Sequence, residues 1–387
     1  MSLNHAQTEA VAHNKGPCMV LAGPGSGKTL TIAKRIEYLI MKHKVRPEEI
    51  LVITFTKYAA WEMKNRTRSI CGPSSYAVTF GTFHGIYYGI LKWAYRLNQS
   101  NLLSDEEKYR ILREILPGID WDQEPEADEE KDYLQELAIE IGNVKNNCMD
   151  IEEYEPVKYT TEKFRKLYRT YEETKKKYRK IDFEDMLIQC RDLFMKRPDI
   201  LKKWQEKFQY ILVDEFQDVN QAQYDVVRML AAPQDNLFVV GDDDQSVYGF
   251  RGAKPGIMME FMKDYPKARQ ILLDVNYRSS GYIVKGALRV IGNNKIRFEK
   301  KIEAFRKPDE TVHVQEVKDP VQEAEYVLER IREYREKGVS YTEMAVLYRT
   351  NVDARAMSEL MTEYQIPFVM KEHLNNIYEH FIALDMI

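Results

Sequence analysis

The chain has 387 residues, 44% of them hydrophobic and 30% charged, with a formal net charge of −4. That length and apolar content suffice for two or three domains with sizeable cores, and the balanced charge does not by itself advertise a nucleic-acid partner. No apolar run is long enough to span a bilayer and no basic start leads into an apolar stretch, so no membrane association is expected and nothing directs the chain out of the cytoplasm. Cys18, Cys71, Cys148 and Cys190 stand apart, without a C-x-x-C pair or a histidine cluster. This argues against a zinc site, an iron–sulfur cluster or a disulfide framework and fits a reducing compartment.

In chain order, Cys18 to Ala22 reads as a strand, followed by a helix with Ile32, Ile36, Leu39 and Ile40 on one face. Ile50 to Phe55 reads as a second strand, with a helix from about Ala59 to Ile70, and Tyr76 to Phe80 as a third strand. This βαβα alternation predicts a parallel sheet covered by helices. From about Ile86 to Arg191 the strand signal almost vanishes. Ser104-Asp105-Glu106-Glu107 is a capping-box start for a helix to about Leu116, and the acidic stretch from Asp120 to Asp132 is expected to begin as a loop. Lys163 to Lys180 is helical in pattern, with nine Lys/Arg against two Glu and with Tyr168, Tyr171 and Tyr178 between them. Such a run reads first as a solvated helix face and only second as a contact for DNA phosphates. Strands return at Tyr210 to Asp214 and Leu237 to Gly241, and a second α/β stretch follows, with strands expected near Gln270 to Asp274, Val312 to Val317 and Met344 to Tyr348.

The chemistry is concentrated at strand ends. Ala22-Gly23-Pro24-Gly25-Ser26-Gly27-Lys28-Thr29 lies between a strand and a helix, the context a phosphate-binding P-loop demands. Its glycines let backbone N–H groups face phosphate oxygens, and the helix N-terminus adds a favourable dipole. Lys28 would reach the β- and γ-phosphates, and Thr29 would bind Mg²⁺. Ile211-Leu212-Val213 runs into Asp214 and Glu215, expected to hold Mg²⁺ and to act as general base on the attacking water, respectively. These two motifs alone define a nucleotide hydrolase and leave kinases, transporters, GTPases and helicases open.

Further motifs narrow the reading. Leu3-Asn4-His5-Ala6-Gln7 resembles the adenine-reading Q motif of UvrD/Rep-type superfamily 1 DNA helicases, and Ile53-Thr54-Phe55-Thr56 with Ala59-Ala60 and Glu62-Met63 resembles their motif Ia. Gly81-Thr82-Phe83-His84-Gly85 resembles the next motif, and Asp214-Glu215-Phe216-Gln217-Asp218 the family's acidic motif. Gly241 to Ala253 (GDDDQSVYGFRGA) resembles motif III and Asn276-Tyr277-Arg278-Ser279 motif IV. The resemblance covers nearly the whole chain. It implies a RecA-like P-loop sheet with an all-helical insertion, followed by a partial second RecA-like α/β domain. The expected division is 1–86 and 191–269 for domain 1A, 87–190 for insertion 1B and 270–387 for a partial domain 2A.

It also implies roles. ATP would be held by the P-loop, by Gln7 and by stacking on Tyr277, with Arg278 as arginine finger and Gln245 as γ-phosphate sensor. Single-stranded DNA would meet Phe55, Thr82, His84, Tyr248, Phe250 and Arg251, the aromatics by stacking on bases. The chain departs from the family in having Leu30 where Arg is common, Lys57-Tyr58 for Asn-Lys, and Phe250 for Trp. Lys371 to Asn376 departs from the family's Gly-rich motif, and Ile387 falls inside a helical pattern. We therefore expect that the rest of domain 2A, or a protein partner, completes the motor. Two functions follow: an ATP-driven translocase or helicase, 3′ to 5′ on single-stranded and tailed duplex DNA and weak in unwinding alone, or an ATP- and DNA-binding module that depends on a partner. A small-molecule kinase would leave Gln245 and Arg278 without a role.

Overall fold

The computed structural model describes residues 3–119, 130–246, 254, 256–307, 311–350 and 352–370. The chain divides into two compact units, 1–311 and 312–387. The first begins with α1 (His5–Ala12), β1 (Cys18–Ala22), α2 (Lys28–Met41), β2 (Ile50–Thr54), α3 (Lys57–Cys71) and β3 (Thr79–Thr82). Helices follow: α4 (Phe83–Tyr95), α5 (Asp105–Ile115), α6 (Glu130–Asn146), α7 (Thr161–Lys177), α8 (Phe183–Lys196) and α9 (Pro198–Lys207). Then come β4 (Tyr210–Val213), α10 (Gln221–Ala231), β5 (Leu237–Gly241), α11 (Ile257–Asp264), β6 (Arg269–Leu273), β7 (Val275–Ser280), α12 (Gly281–Ile291) and β8 (Glu303–Arg306).

The expected parallel sheet forms, six strands in the order β3-β2-β4-β5-β1-β6. Strands β1, β2, β4 and β5 are buried along their whole length, as apolar runs in a sheet covered on both faces must be. Alternate residues feed two cores. Met19, Leu21, Leu51, Ile53 and Val239 pack with Tyr87 of α4, Leu187 of α8 and Val227 of α10. Cys18, Val20, Val52, Leu212 and Val240 pack with Ile32, Ile36 and Leu39 of α2 on the other face. The chain is thus a RecA-like α/β fold.

The third strand begins at Thr79 rather than Tyr76, because Gly72-Pro73 draws residues 72–75 into a 3-10 turn. The segment expected as the first strand of the second α/β stretch is β6, which continues the main sheet in register with β1, from Cys18 opposite Arg269 to Ala22 opposite Leu273. The main sheet therefore runs past the expected boundary at 269/270. A separate parallel pair, β7 with β8, follows it.

Between β3 and β4 the regular elements among the described residues are helices, apart from an isolated bridge between Leu102 and Ile181. Ser104 caps α5 as expected, accepting from the Glu107 N–H at 3.2 Å while the Glu107 carboxylate accepts from the Ser104 N–H at 3.0 Å. Leu112 of α5, Leu137 and Ile141 of α6, and Phe164 and Leu167 of α7 make a third core, whereas α4 and α8 face the main sheet. Residues 120–129 of the expected acidic loop lie outside the described residues, and Glu130 to Asp132 already belong to α6.

The basic run is not a simple solvated face. Tyr171 is fully buried, and Lys175 lies with Lys145 in an internal ion cluster. Lys145 Nζ reaches Glu172, Asp182 and Asp185 at 2.7–2.8 Å, Lys175 contacts the same three carboxylates, and the Tyr171 hydroxyl donates to Asp182 at 3.1 Å. Tyr178 is exposed.

The second unit contains α13 (Pro320–Glu336) and α14 (Ala354–Glu363). Leu328 and Ile331 pack on Met361 and Ile366. The strands expected at 312–317 and 344–348 do not form: neither segment joins a ladder among the described residues, and Val314 and Leu347 are almost fully exposed. A strand needs a hydrogen-bonded neighbour, and no strand of this unit offers an edge among the described residues. Among the described residues no helix is long and apolar enough to cross a membrane.

Burial alone would push the Asp182 carboxyl up, but Lys145 and Lys175 beside it overcome that and hold it well below the usual carboxylate range. Removing one partner of such a cluster costs about 3–5 kcal/mol, so Asp182→Ala should lower the urea-derived unfolding free energy by about that much. In the unmutated protein this contribution should be complete above the ordinary carboxylate range and fade only as pH falls toward the depressed folded value.

Candidate active site

Most of the motifs leave the main sheet at the carboxyl ends of its parallel strands, the edge at which open α/β sheets bind ligands. Residues 23–27 follow β1, Asp214 and Glu215 follow β4, and residues 242–246 follow β5. Phe55 follows β2, and Thr82 ends β3. The P-loop turn depends on two left-handed glycines, Gly25 at φ +66° and Gly27 at φ +86°. A Cβ on Gly27 would lie 2.8 Å from Gln7 Nε2, and one on Gly25 would lie 2.6 Å from Arg278 Cβ. These glycines therefore curl the loop and also admit its neighbours.

Through Gly25 the P-loop is joined to motif IV. The Tyr277 N–H donates to the Gly25 carbonyl at 3.0 Å. Buried Asn276 turns β7 past the loop, its Oδ1 accepting from the N–H groups of Arg278 and Ser279 at 2.9 and 2.8 Å. Arg278 is exposed beside the loop, and the Tyr277 hydroxyl accepts from Asn4 Nδ2 at 2.9 Å. Asn4 also caps α1 in a box with Gln7. Gln7 is held at both ends of its carboxamide: its carbonyl oxygen accepts from the Asn4 N–H at 3.0 Å and its amide donates to the Ser26 carbonyl at 2.9 Å. It braces the P-loop here. The Ser26 hydroxyl donates to the Gly23 carbonyl at 2.7 Å, Pro24 is exposed, and Thr29 is half-buried in the first turn of α2.

Lys28 Nζ pairs with Glu215 Oε2 at 2.7 Å. Glu215 has left-handed backbone at φ +50°, a conformation rare for a residue with a side chain and often found at functional sites. The same Glu215 oxygen accepts from Gln217 Nε2 at 2.8 Å, Gln217 Oε1 accepts from the Asp242 N–H at 3.0 Å, and Asp242 Oδ2 accepts from Gln245 Nε2 at 2.6 Å. Lys28, Glu215 and Gln245 thus belong to one polar chain. Burial first, and then the neighbouring Glu215 charge, push the Asp214 pKa up to about 7. The same two causes push Asp218 up to about 6, and its Oδ1 finds no partner among the described residues.

The residues expected at DNA are divided. Phe55 is half-buried, and the Thr82 hydroxyl caps α4 by accepting from the Gly85 N–H at 3.1 Å. His84 packs edge-on against Phe183 at 5.7 Å, and burial lowers its pKa against the opposing pull of Glu184. Tyr248, Phe250 and Arg251 lie outside the described residues. Sequence reasoning misses Asn276 and Gln217 as individual residues, although both lie inside motifs it marks. It also misses Arg297 and Lys300, which have no local signal because their partners at Asp242 to Asp244 are more than fifty residues away.

Gly25→Ala should abolish detectable binding of a fluorescent ATP analogue, because the added methyl group cannot coexist with β7 in its present position. Gly89→Ala, on α4 where an added methyl group would meet nothing within 4 Å, should bind the analogue like the unmodified chain.

Comparisons with known proteins identify the family. The UvrD/REP helicase N-terminal domain matches residues 3–266, and the UvrD-like helicase C-terminal domain matches residues 271–379. The putative ATP-dependent DNA helicase YjcD of Bacillus subtilis (strain 168) is 38% identical over 398 residues, covering 100% of this chain and 51% of its own. The ATP-dependent DNA helicase PcrA of Staphylococcus aureus (strain Mu50) is 35% identical, covering 95% of this chain and 50% of its own. PcrA of Staphylococcus epidermidis is also 35% identical, with 95% and 51% covered. The chain spans about half the length of the curated relatives it matches. With a matching N-terminal domain across most of its length, the chain belongs to the UvrD/Rep helicase family.

Proposed function

We propose that this chain is the motor core of an ATP-driven DNA translocase or helicase, moving 3′ to 5′ on single-stranded DNA and engaging tailed duplexes. The observation that carries the reading is the closure of motif IV on the P-loop through Tyr277 and Gly25, which sets Arg278 beside the turn that would cradle the phosphates. In this reading the main sheet, which runs through β6 to Leu273, belongs to domain 1A, residues 87–190 act as insertion 1B, and the chain from β7 onward acts as part of domain 2A.

The residues present fit Mg²⁺ with ATP. A buried carboxylate whose pKa is raised to about 7 beside a second carboxylate favours a neighbouring cation, and Asp214 with the Thr29 hydroxyl would hold it. When bound, Mg²⁺ would neutralise charge on the transferring phosphoryl group. Lys28 would exchange Glu215 for a phosphate oxygen, which frees the Glu215 carboxylate to accept a proton from the attacking water. Gln245 would sense the γ-phosphate through the same polar chain. Arg278 would place its guanidinium on transition-state charge, and Tyr277 would stack on the base. DNA would run over the carboxyl edge of the sheet past Phe55, Thr82 and His84, and stack on Tyr248 and Phe250 next to Arg251.

Steady-state ATP hydrolysis with and without single-stranded DNA tests the proposal. The unmodified chain should be stimulated by DNA, Glu215→Gln should abolish turnover, and Arg278→Ala should lower it by about 10³-fold or more. ATP binding without DNA-stimulated turnover would instead support a partner-dependent ATP- and DNA-binding module.

A further inference from the structure

The turn after β5 presents three consecutive carboxylates, and all three converge on a single buried ammonium. Lys300 Nζ lies 2.5 Å from Asp242 Oδ1, 2.6 Å from Asp243 Oδ1 and 2.7 Å from Asp244 Oδ2, with its side chain fully buried. Arg297 forks onto Asp244, Nε to Oδ1 at 2.7 Å and a terminal nitrogen to Oδ2 at 2.5 Å. The Phe298 N–H donates to Asp243 Oδ2 at 2.8 Å. All these donors come from the segment between α12 and β8, in the β7–β8 body that also carries Tyr277 and Arg278.

Asp242 is the shared member. One of its oxygens takes Lys300, the other takes Gln245, and its N–H donates to Gln217, which in turn holds Glu215. We propose that Lys300, assisted by Arg297, is a positioning residue that locks the turn after β5 to the body bearing Arg278, so that Glu215, Gln245 and Arg278 keep a common geometry. This rests on the proposed ATPase function, in which Lys300 touches no reacting atom. Its work is electrostatic: three carboxylates on one short turn repel unless a cation closes them, and a buried, fully paired cation fixes them in one arrangement. A shift of about 1 Å in catalytic groups costs about 100-fold in rate, so the lock should register in turnover rather than in affinity.

Two measurements on the full chain test this. In hydrogen exchange, Lys300→Met should speed amide exchange at residues 214–218 and 242–246 relative to the unmodified chain and leave the helices α5 to α7 unchanged. In turnover, Lys300→Met should lower kcat for DNA-stimulated hydrolysis by about 100-fold with the Kd for an ATP analogue held within about threefold, and Lys300→Arg should restore part of the loss. Arg297→Gln, which removes contacts to Asp244 alone, should shift both readouts in the same direction by less and keeps the test open if Lys300→Met does not fold. Unchanged exchange at 214–218 in both variants would overturn the inference even if the unmodified chain proved to have no ATPase activity. Active unmodified protein with loss of affinity equal to the loss of kcat would overturn it too, by reducing Lys300 to a general structural role. An unmodified chain that does not respond to DNA, but with the predicted exchange pattern in the variants, would sink the functional reading and leave the lock standing.

Discussion

The contact on which the site depends is the passage of β7 across the P-loop at Gly25. A left-handed glycine is required there by backbone geometry, and a side chain is forbidden by the Arg278 Cβ and the Asn276 carboxamide. Because the Tyr277 N–H then bonds the Gly25 carbonyl, the strand following the main sheet is fixed against the turn 23–27. Asn4 and Gln7 extend the same junction toward the N-terminus, one bonding the Tyr277 hydroxyl and the other the Ser26 carbonyl. Segments distant in sequence therefore meet around one short turn.

A second layer of the site is ionic. Lys28 and Glu215 form a pair that a phosphate group would have to separate, and Glu215 sits in left-handed backbone, which costs on the order of 1–3 kcal/mol and persists only when the surroundings enforce it. The surroundings are visible: Gln217 grips the carboxylate, and Asp242 grips Gln217. The helical stretch between β3 and β4 has a similar cluster, with Lys145 and Lys175 enclosed by three carboxylates. Of the two buried lysine clusters, one lies among the helices between β3 and β4 and the other at the turn after β5.

Much of this is legible in the sequence. The apolar runs of β1, β2, β4 and β5 are unambiguous because both faces of the sheet are covered, and the P-loop and the Asp214-Glu215 pair are local patterns at strand ends. The helical insertion is legible from the loss of strand signal, and the Ser104 cap from four consecutive residues. What escapes is long-range. Val312 to Val317 and Met344 to Tyr348 have strand composition, but composition does not supply a pairing edge. Gln270 to Asp274 reads as a strand, yet only its register with β1 shows which sheet it joins. Tyr171 and Lys175 look like part of a solvated basic face, since a helical period cannot reveal that carboxylates flanking and within α8 wait on the other side. Lys300 has no signal at all, because a lone lysine in a charged segment resembles any other until its three partners are located.

If one site, assembled by β7 closing on the P-loop, takes Mg²⁺-ATP, a crystal structure with Mg²⁺ and a non-hydrolysable ATP analogue tests it most directly. The phosphates should then lie in the turn 23–27, with Lys28 moved from Glu215 to a phosphate oxygen and with Tyr277 and Arg278 lining the nucleotide. An analogue bound elsewhere, or bound with the Lys28–Glu215 pair intact and Arg278 turned away, would contradict it.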